Sequence, residues 1–82
     1  MREIVLDTET TGLDPKLGHR IVEIGAVELL NHIPTDNTYH CYINPEREID
    51  QGAFEVHGLS AKFLSNFATF GDIADEFNDF IK

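Results

Sequence analysis

Three β-forming segments follow one another in the first half of the chain, with no helical segment between them. They run over residues 3–9, 20–30 and 38–43, and each is rich in the branched or aromatic side chains that strands favour. Parallel neighbours need a crossover of about a dozen residues or more, whereas antiparallel neighbours need only a loop. The order of the segments therefore predicts an antiparallel sheet of three strands.

The segments between the strands carry turn residues. The first connection, residues 11–19, contains two glycines and a proline, and the second, residues 31–37, is polar and is interrupted by Pro34. Gly25 and Ala26 lie inside the second strand segment, where small residues leave room for a close neighbour or a bulge. Residues 46–58 show no clear periodicity and are expected to be mostly loop.

Helical signals appear after residue 59. Ser60 is a good N-cap for a short helix through Leu64, and Thr69 with Asp72 resembles a capping box. Apolar residues then recur at helical spacing over residues 70–81. The members of this stripe are Phe70, Ile73, Ala74, Phe77, Phe80 and Ile81. The pattern predicts an amphipathic helix that covers one face of the sheet.

The first strand segment ends in two acidic residues at alternate positions. Alternate residues of a strand project to the same face, so Asp7 and Glu9 are expected side by side, about 6 to 7 Å apart at Cα. Neighbouring carboxylates repel each other unless a cation lies between them. Their hard oxygen atoms suit Mg²⁺ or Mn²⁺, ions that promote phosphodiester chemistry. A solvated strand end would show the same triplet, so the residues alone leave both interpretations open.

Composition narrows the function classes. The 82 residues can form one small domain at most. The net charge of −9, from 15 acidic and 6 basic residues, excludes a broad basic surface for nucleic acid, so metal ions would have to supply positive charge locally. Cys41 is the only cysteine, which excludes an internal disulfide and fits a reducing compartment. No apolar stretch approaches the roughly 20 residues that cross a bilayer, and we expect a cytoplasmic protein.

Three blocks of sequence are similar to one family of nucleases. The blocks are IVLDTETTGL at residues 4–13, IVEIGAV at residues 21–27 and VHGL at residues 56–59. Together they resemble the DEDDh 3′–5′ exonucleases, and among these the proofreading subunits of bacterial DNA polymerase III. The resemblance covers the whole chain. It implies an α/β, ribonuclease H-like exonuclease fold, here its N-terminal portion: three antiparallel strands followed by one short and one longer helix.

The resemblance also implies a reaction, which is the stepwise removal of nucleotides from a DNA 3′ end by two divalent metal ions, Mg²⁺ or Mn²⁺. Asp7 matches the family's aspartate that binds both ions. Glu9 matches the glutamate on the ion that binds the attacking water, and this glutamate also contacts the terminal 3′-hydroxyl. Both are therefore implied to be catalytic residues and metal ligands.

Five further residues match substrate-binding positions of the family. Thr10, Thr11 and Gly12 match the turn that runs along the terminal nucleotide, Leu13 matches a residue near its base, and His57 matches a histidine that contacts the substrate. Without the resemblance, an ordinary role in a turn would also account for Thr10, Thr11 and His57. The other three histidines match no motif and are expected on the surface or in the sheet; they are His19, His32 and His40.

Two departures from the family pattern stand out. Gly52 occupies the position of a glutamate that assists substrate binding in the family. The family pattern also includes a second aspartate and a later His-x-x-x-x-Asp segment, which would fall beyond residue 82. We therefore expect residues 1–82 to be the N-terminal part of a single exonuclease domain, inactive alone, with an unpaired edge on the first strand that favours self-association.

The resemblance further implies partners. These are a single-stranded or frayed DNA 3′ end, the catalytic subunit of DNA polymerase III and a small accessory subunit. Two alternatives remain open at this point: a docking or folding module that binds the polymerase without chemistry, and a related 3′–5′ exoribonuclease.

Overall fold

The computed structural model describes residues 1–82, apart from the side chain of Pro15. The first half of this part forms one antiparallel sheet with the strand order β1-β2-β3. The strands are β1 (Arg2–Thr10), β2 (Ile21–Leu30) and β3 (Ile33–Tyr42). A 3₁₀ turn, Pro15–Leu17, lies in the connection between β1 and β2. The predicted antiparallel sheet of three strands is confirmed.

The prediction of a loop over residues 31–37 is wrong, because the connection between β2 and β3 is much shorter. It is a two-residue turn, Asn31 and His32, with φ angles of 52° and 68°. Positive φ at both positions gives a hairpin turn whose twist matches that of the strands it joins. Pro34 is accommodated because β3 is an edge strand, where a residue without an N–H can face away from the ladder.

Three α-helices follow the sheet in the described part of the chain: α1 (Gln51–His57), α2 (Ala61–Leu64) and α3 (Phe70–Ile81). The Ser60 hydroxyl accepts a hydrogen bond from the backbone of α2, and Thr69 begins α3 with a capping box, as the sequence predicts. None of the described helices is long and apolar enough to cross a membrane.

Helix α1 corrects the expectation that residues 46–58 are mostly loop. All of its residues are at least partly exposed, so it has no apolar stripe for a periodicity argument to find. Gly58 ends the helix with a φ of 69°, and its N–H donates to the Phe54 carbonyl oxygen at 2.7 Å. This left-handed C-cap satisfies a carbonyl group that would otherwise lack a partner.

The core lies between the sheet and α3. Ile24 of β2, Ile43 and Ile73 of α3 form a buried cluster. The ring of Phe77 extends this contact, with its centroid 5.6 Å from that of Tyr39 on β3. Helix α3 therefore covers the sheet face that carries Ile24, as its apolar stripe predicts.

Candidate active site

The two acidic residues of β1 lie on the sheet face opposite α3. Thr8 pairs with Ile24 on the face that α3 covers, so its neighbours Asp7 and Glu9 project from the other face. The Asp7 side chain is exposed and that of Glu9 is half-buried. Asp7 pairs with Gly25, and nothing in the described part of the chain lies within 4 Å of where a Gly25 side chain would begin. The space in front of the Asp7 carboxylate is open.

A third carboxylate faces this pair from β2. Glu23 pairs directly with Glu9, an arrangement of like charges that destabilises a sheet. The Glu23 carboxylate also lies 2.6 Å from Nε2 of His40 on β3, a hydrogen bond that stabilises it. Sequence reasoning missed Glu23, because the long connection between β1 and β2 does not fix the register that places this residue opposite Glu9.

The carboxylates of Asp7 and Glu9 could supply some, but not all, of the ligands of a hard divalent cation. Carboxylate oxygens on a rigid strand are ligands that Mg²⁺ and Mn²⁺ accept. No group of three or more His, Cys, Asp or Glu side chains in the described part of the chain is arranged to hold a metal ion. Asp7 and Glu9 can therefore supply part of a coordination shell, whose other ligands would be water, a substrate or further protein groups.

The turn at the end of β1, formed by Thr10, Thr11 and Gly12, is held by hydrogen bonds to two other segments and within itself. Thr11 is fully buried. Its N–H donates to the Arg20 carbonyl at 2.8 Å, and its own carbonyl accepts from the N–H of Asp50 at 2.9 Å. The Thr10 hydroxyl donates to the Gly12 carbonyl at 2.7 Å. The turn is thereby attached to the residue before β2 and to the N-cap of α1.

His57 connects the end of α1 to the same turn. Its Nε2 lies 2.9 Å from the carbonyl oxygen of Thr10, and its Nδ1 accepts from the N–H of Leu59 at 2.9 Å. A carbonyl oxygen only accepts hydrogen bonds, so Nε2 carries the ring proton. Both ring nitrogens of His57 are thus engaged within the chain, and the residue also lines the adjacent cleft.

A cleft of about 410 Å³ lies between the end of β1, the turn and α1. The predicted site residues that line it are Glu9, Thr10, Gly12, Leu13 and His57. Asp7 lies outside the lining, two residues before Glu9 on the same strand face, and the buried Thr11 lies outside it as well. Gly52 also lines the cleft, where a side chain would meet open space.

A larger cavity of about 510 Å³ lies between the residues before β2 and the start of α3. None of the predicted site residues lines it, and Glu46 is its only carboxylate among the described residues. The chemistry of the chain therefore favours the smaller cleft beside Glu9.

The position of His19 corrects an expectation. Its side chain is only 4% exposed, in the connection between β1 and β2, and its ring nitrogens face Thr11 and Asp50. A histidine between two polar partners can be buried because both nitrogens find a hydrogen bond. The other two histidines are exposed as expected, His32 in the hairpin turn and His40 on β3.

A comparison with protein families decides the affiliation of this fold and site. The family model described as "Exonuclease" matches residues 4–82. The chain belongs to this exonuclease family. The resemblance inferred from the three sequence blocks is confirmed.

Curated relatives agree with this exonuclease assignment. The DNA polymerase III subunit epsilon of Rickettsia felis is 56% identical over 81 residues, and that of Escherichia coli is 49% identical over 85 aligned positions. Each alignment covers 99% of this chain and 35% of the relative. The chain therefore spans about a third of the length of these relatives.

Solved exonuclease structures share the fold. A structure titled "Exonuclease X in complex with 5' overhanging duplex DNA" matches 90% of this chain and 42% of its own, with a TM-score of 0.77 and 24% identity. A full-length 3′-exonuclease matches 95% of this chain and 28% of its own, with a TM-score of 0.77 and 22% identity. The predicted ribonuclease H-like fold is confirmed by these neighbours.

Proposed function

We propose that residues 1–82 provide the first metal ligands and the nucleotide-binding turn of a 3′–5′ DNA exonuclease that proofreads replication. The observation that carries this proposal is that Asp7 and Glu9 project from the same face of β1 and that Glu9 lines the cleft. Membership of the exonuclease family and similarity to the epsilon subunits of DNA polymerase III support it.

Asp7 and Glu9 would hold two divalent ions, Mg²⁺ or Mn²⁺, with Asp7 shared between them. Such ions supply positive charge, activate a water molecule and stabilise the departing 3′ oxygen. A chain with a net charge of −9 has to attract the phosphate through bound cations rather than through its own side chains. Glu9 also lines the cleft, where it would contact the terminal 3′-hydroxyl.

The turn would bind the 3′-terminal nucleotide. Leu13 is 99% exposed beside the cleft, so its apolar side chain is available to contact the terminal base. Thr10 and Gly12 line the cleft and would contact the sugar and phosphate of the nucleotide. Thr11 is buried and forms hydrogen bonds only within the chain, so it would hold these two residues in position. His57 would contact the substrate from the α1 side of the cleft, where Gly52 leaves open space.

The remaining metal ligands would come from outside these residues. Asp7 and Glu9 alone leave most of two coordination shells open, and the described residues offer no cluster of three metal-binding side chains. The curated relatives are about three times as long as this chain. We therefore propose that residues 1–82 are the first part of a longer exonuclease domain and have little activity alone.

The proposed substrate is a DNA 3′ end, and the proposed partner is the catalytic subunit of the polymerase. Both follow from the relatives, which are named as subunits of a DNA polymerase. An exoribonuclease and a docking module without chemistry are the alternatives that the experiment has to separate.

The test is release of the 3′ nucleotide from labelled single-stranded DNA and from RNA of matched sequence, with Mn²⁺ and the complete gene product. Asp7→Ala and Glu9→Gln should each lower the rate by about 100-fold, equivalent to about 3 kcal/mol of transition-state stabilisation. Asp75→Asn, on the exposed side of α3, is the matched control and should retain the rate. Activity that survives Asp7→Ala would refute the assigned role, faster cleavage of RNA would favour an exoribonuclease, and no cleavage by folded protein would favour a docking module.

A further inference from the structure

His19 is the centre of a hydrogen-bonded cluster between the turn and the start of α1. Its Nδ1 lies 2.9 Å from the Thr11 hydroxyl oxygen, and its Nε2 lies 3.2 Å from Oδ2 of Asp50. A carboxylate oxygen only accepts hydrogen bonds, so Nε2 carries a proton. The Thr11 hydroxyl already accepts from the N–H of Arg20 at 3.0 Å. Its own hydrogen is therefore free to point at Nδ1.

This hydroxyl, imidazole and carboxylate are connected in the same order as in a nucleophilic catalytic triad. A nucleophile must reach its substrate, however, and Thr11 is fully buried. The backbone N–H and carbonyl groups of Thr11 are also engaged, with Arg20 and Asp50. The cluster therefore holds the turn in place and does not attack a substrate.

The imidazole ring of His19 also fixes the position of Gly12. A Cβ atom at Gly12 would lie 2.4 Å from Cε1 of His19, so the ring packs directly on the glycine backbone. Only a residue without a side chain permits this contact, because a carbon–carbon separation of this size is well inside the roughly 3.5–4.0 Å optimum. Both residues line the 410 Å³ cleft, so a shift of the ring would move the wall that faces the nucleotide.

Arg47 extends the cluster to the connection between β1 and β2. Its guanidinium lies 3.9 Å from Oδ1 of Asp50, and it donates to the Leu17 carbonyl at 2.9 Å. The carboxylate of Asp50 is thus held by a cation on one side and by the His19 ring on the other. The metal ligands of β1, by contrast, are positioned by pairing with β2 and do not depend on this cluster.

We propose that His19 is a positioning residue for the 3′-terminal nucleotide, acting through Thr11 and Gly12 on the wall of the cleft. The inference rests on the proposed exonuclease function. Loss of the ring would leave the buried Thr11 hydroxyl without its acceptor and would free the Gly12 backbone. Binding of the 3′ end would weaken, while the ions at Asp7 and Glu9 would remain bound.

Three substitutions in the complete gene product separate the contact of His19 with Thr11 from its contact with Asp50. His19→Ala removes both contacts. His19→Asn keeps an acceptor for Thr11 near the position of Nδ1, and His19→Gln keeps a donor for Asp50 near the position of Nε2. His19→Ala should raise KM for a single-stranded DNA 3′ end about tenfold, because losing the buried hydrogen bond to Thr11 is equivalent to about 1–2 kcal/mol. The value of kcat and the Mn²⁺ affinity measured by calorimetry should change less than about threefold.

His19→Asn should bring KM back to within about threefold of the wild type, because Thr11 transmits the effect, whereas His19→Gln should restore less. His32→Ala is the matched control, since this histidine is 84% exposed in the hairpin turn. An unchanged KM in His19→Ala, a loss confined to kcat, or an equal effect of His32→Ala would overturn the proposal. If His19→Ala does not fold, the KM values of His19→Asn and His19→Gln test the proposal. A lower KM in His19→Gln than in His19→Asn would refute the role of Thr11.

A second measurement is independent of activity. Nitrogen-15 spectra of labelled histidines in the complete gene product should show the proton of the neutral His19 ring on Nε2, with Nδ1 as an acceptor. A proton on Nδ1 would overturn the geometry even if KM changed. Failure of the proposed exonuclease function can be told apart from failure of the proposed role of His19. It would appear as an inactive wild-type protein or as activity that survives Asp7→Ala, whatever the effect of the His19 variants.

Discussion

Asp7 lies directly opposite Gly25 in the β1–β2 pair, and no atom in the described part of the chain comes within 4 Å of where a side chain at Gly25 would begin. A glycine inside a strand weakens it, because it loses more backbone entropy on folding and packs no side chain. β2 thus has its least stabilising residue at the position that faces the carboxylate. The open space would be available to the ions that we propose Asp7 binds.

Side chains of different size at Gly25 should therefore affect the free energy of unfolding and the Mn²⁺ affinity differently. Gly25→Ala should raise the free energy of unfolding by about 0.5–1 kcal/mol, while Gly25→Val should lower the Mn²⁺ affinity because the branched side chain enters the open space. Denaturant titration and calorimetry of the complete gene product measure the two effects. Gly71→Ala is the control, since a Cβ there meets only the Thr69 hydroxyl at 3.9 Å. Unchanged Mn²⁺ binding in Gly25→Val would contradict a metal site at Asp7.

The contact of His19 with Gly12 predicts the opposite behaviour at another glycine. Gly12→Ala should lower the free energy of unfolding by about 1–3 kcal/mol, because the new methyl group clashes with a buried ring. Combining it with His19→Ala should recover part of that loss, which a double-mutant cycle by urea denaturation would measure. Gly52→Ala, where a side chain meets open space in α1, should instead be neutral or stabilising. Full stability of Gly12→Ala would show that the ring moves aside freely.

The elements with strong periodicity were predictable from the sequence. The buried residues of β2 alternate, and the apolar residues of α3 recur at helical spacing, so their packing faces could be predicted. The hairpin turn and α1 were not predicted, because neither carries an apolar periodicity. The hairpin turn lacks the glycine typical of such turns at Asn31 and His32. Helix α1 is held at its two ends, where Asp50 and His57 form hydrogen bonds with the turn that follows β1.

The candidate site divides in the same way. The placement of Asp7 and Glu9 on one face follows from strand alternation, whereas His57 was singled out only by family resemblance, which did not predict its contact with the Thr10 carbonyl. His19 gave no signal, since its burial depends on Thr11 and Asp50, which are distant in sequence from each other. Contacts between a loop and a helix N-cap are tertiary, and neither composition nor spacing encodes them.

Glu28 predicts a specific pH dependence of stability. Arg2 is the main hydrogen-bond donor to its carboxylate, with Nε at 2.5 Å, and the Thr35 hydroxyl donates at 2.9 Å. These bonds hold the pKa of Glu28 below its ordinary value of 4.5. The ionised carboxylate therefore stabilises the fold above pH 4.5, and this contribution is lost as the pH falls through the lowered folded-state pKa.

Glu28→Gln should accordingly lower Tm at neutral pH and make little difference in acid below that pKa. Thermal unfolding of both proteins across the acidic range is the measurement. Glu48→Gln, which changes an exposed glutamate, should leave the pH profile as it is. A gap in Tm that does not depend on pH would show that the charge of Glu28 contributes nothing.

The free edge of β1 predicts self-association of the 82-residue chain. In the described sheet β1 pairs only with β2, and Val5 and Leu6 are 55% and 51% exposed. Such an edge is a template for a strand of another molecule. The edge of β3 is a poorer one, because Pro34 and Asp36 interrupt it. Sedimentation velocity should therefore show dimers or larger assemblies at micromolar concentrations.

Val5→Lys should shift this chain to monomer, because a charged side chain in an edge strand opposes pairing with a second molecule. Val56→Lys is the matched control, since Val56 is 79% exposed but lies on α1, away from the edge of β1. Helical content by circular dichroism should be the same in all three proteins. A monomeric wild-type chain would refute pairing through β1, and equal effects of the two substitutions would indicate association through exposed apolar side chains in general.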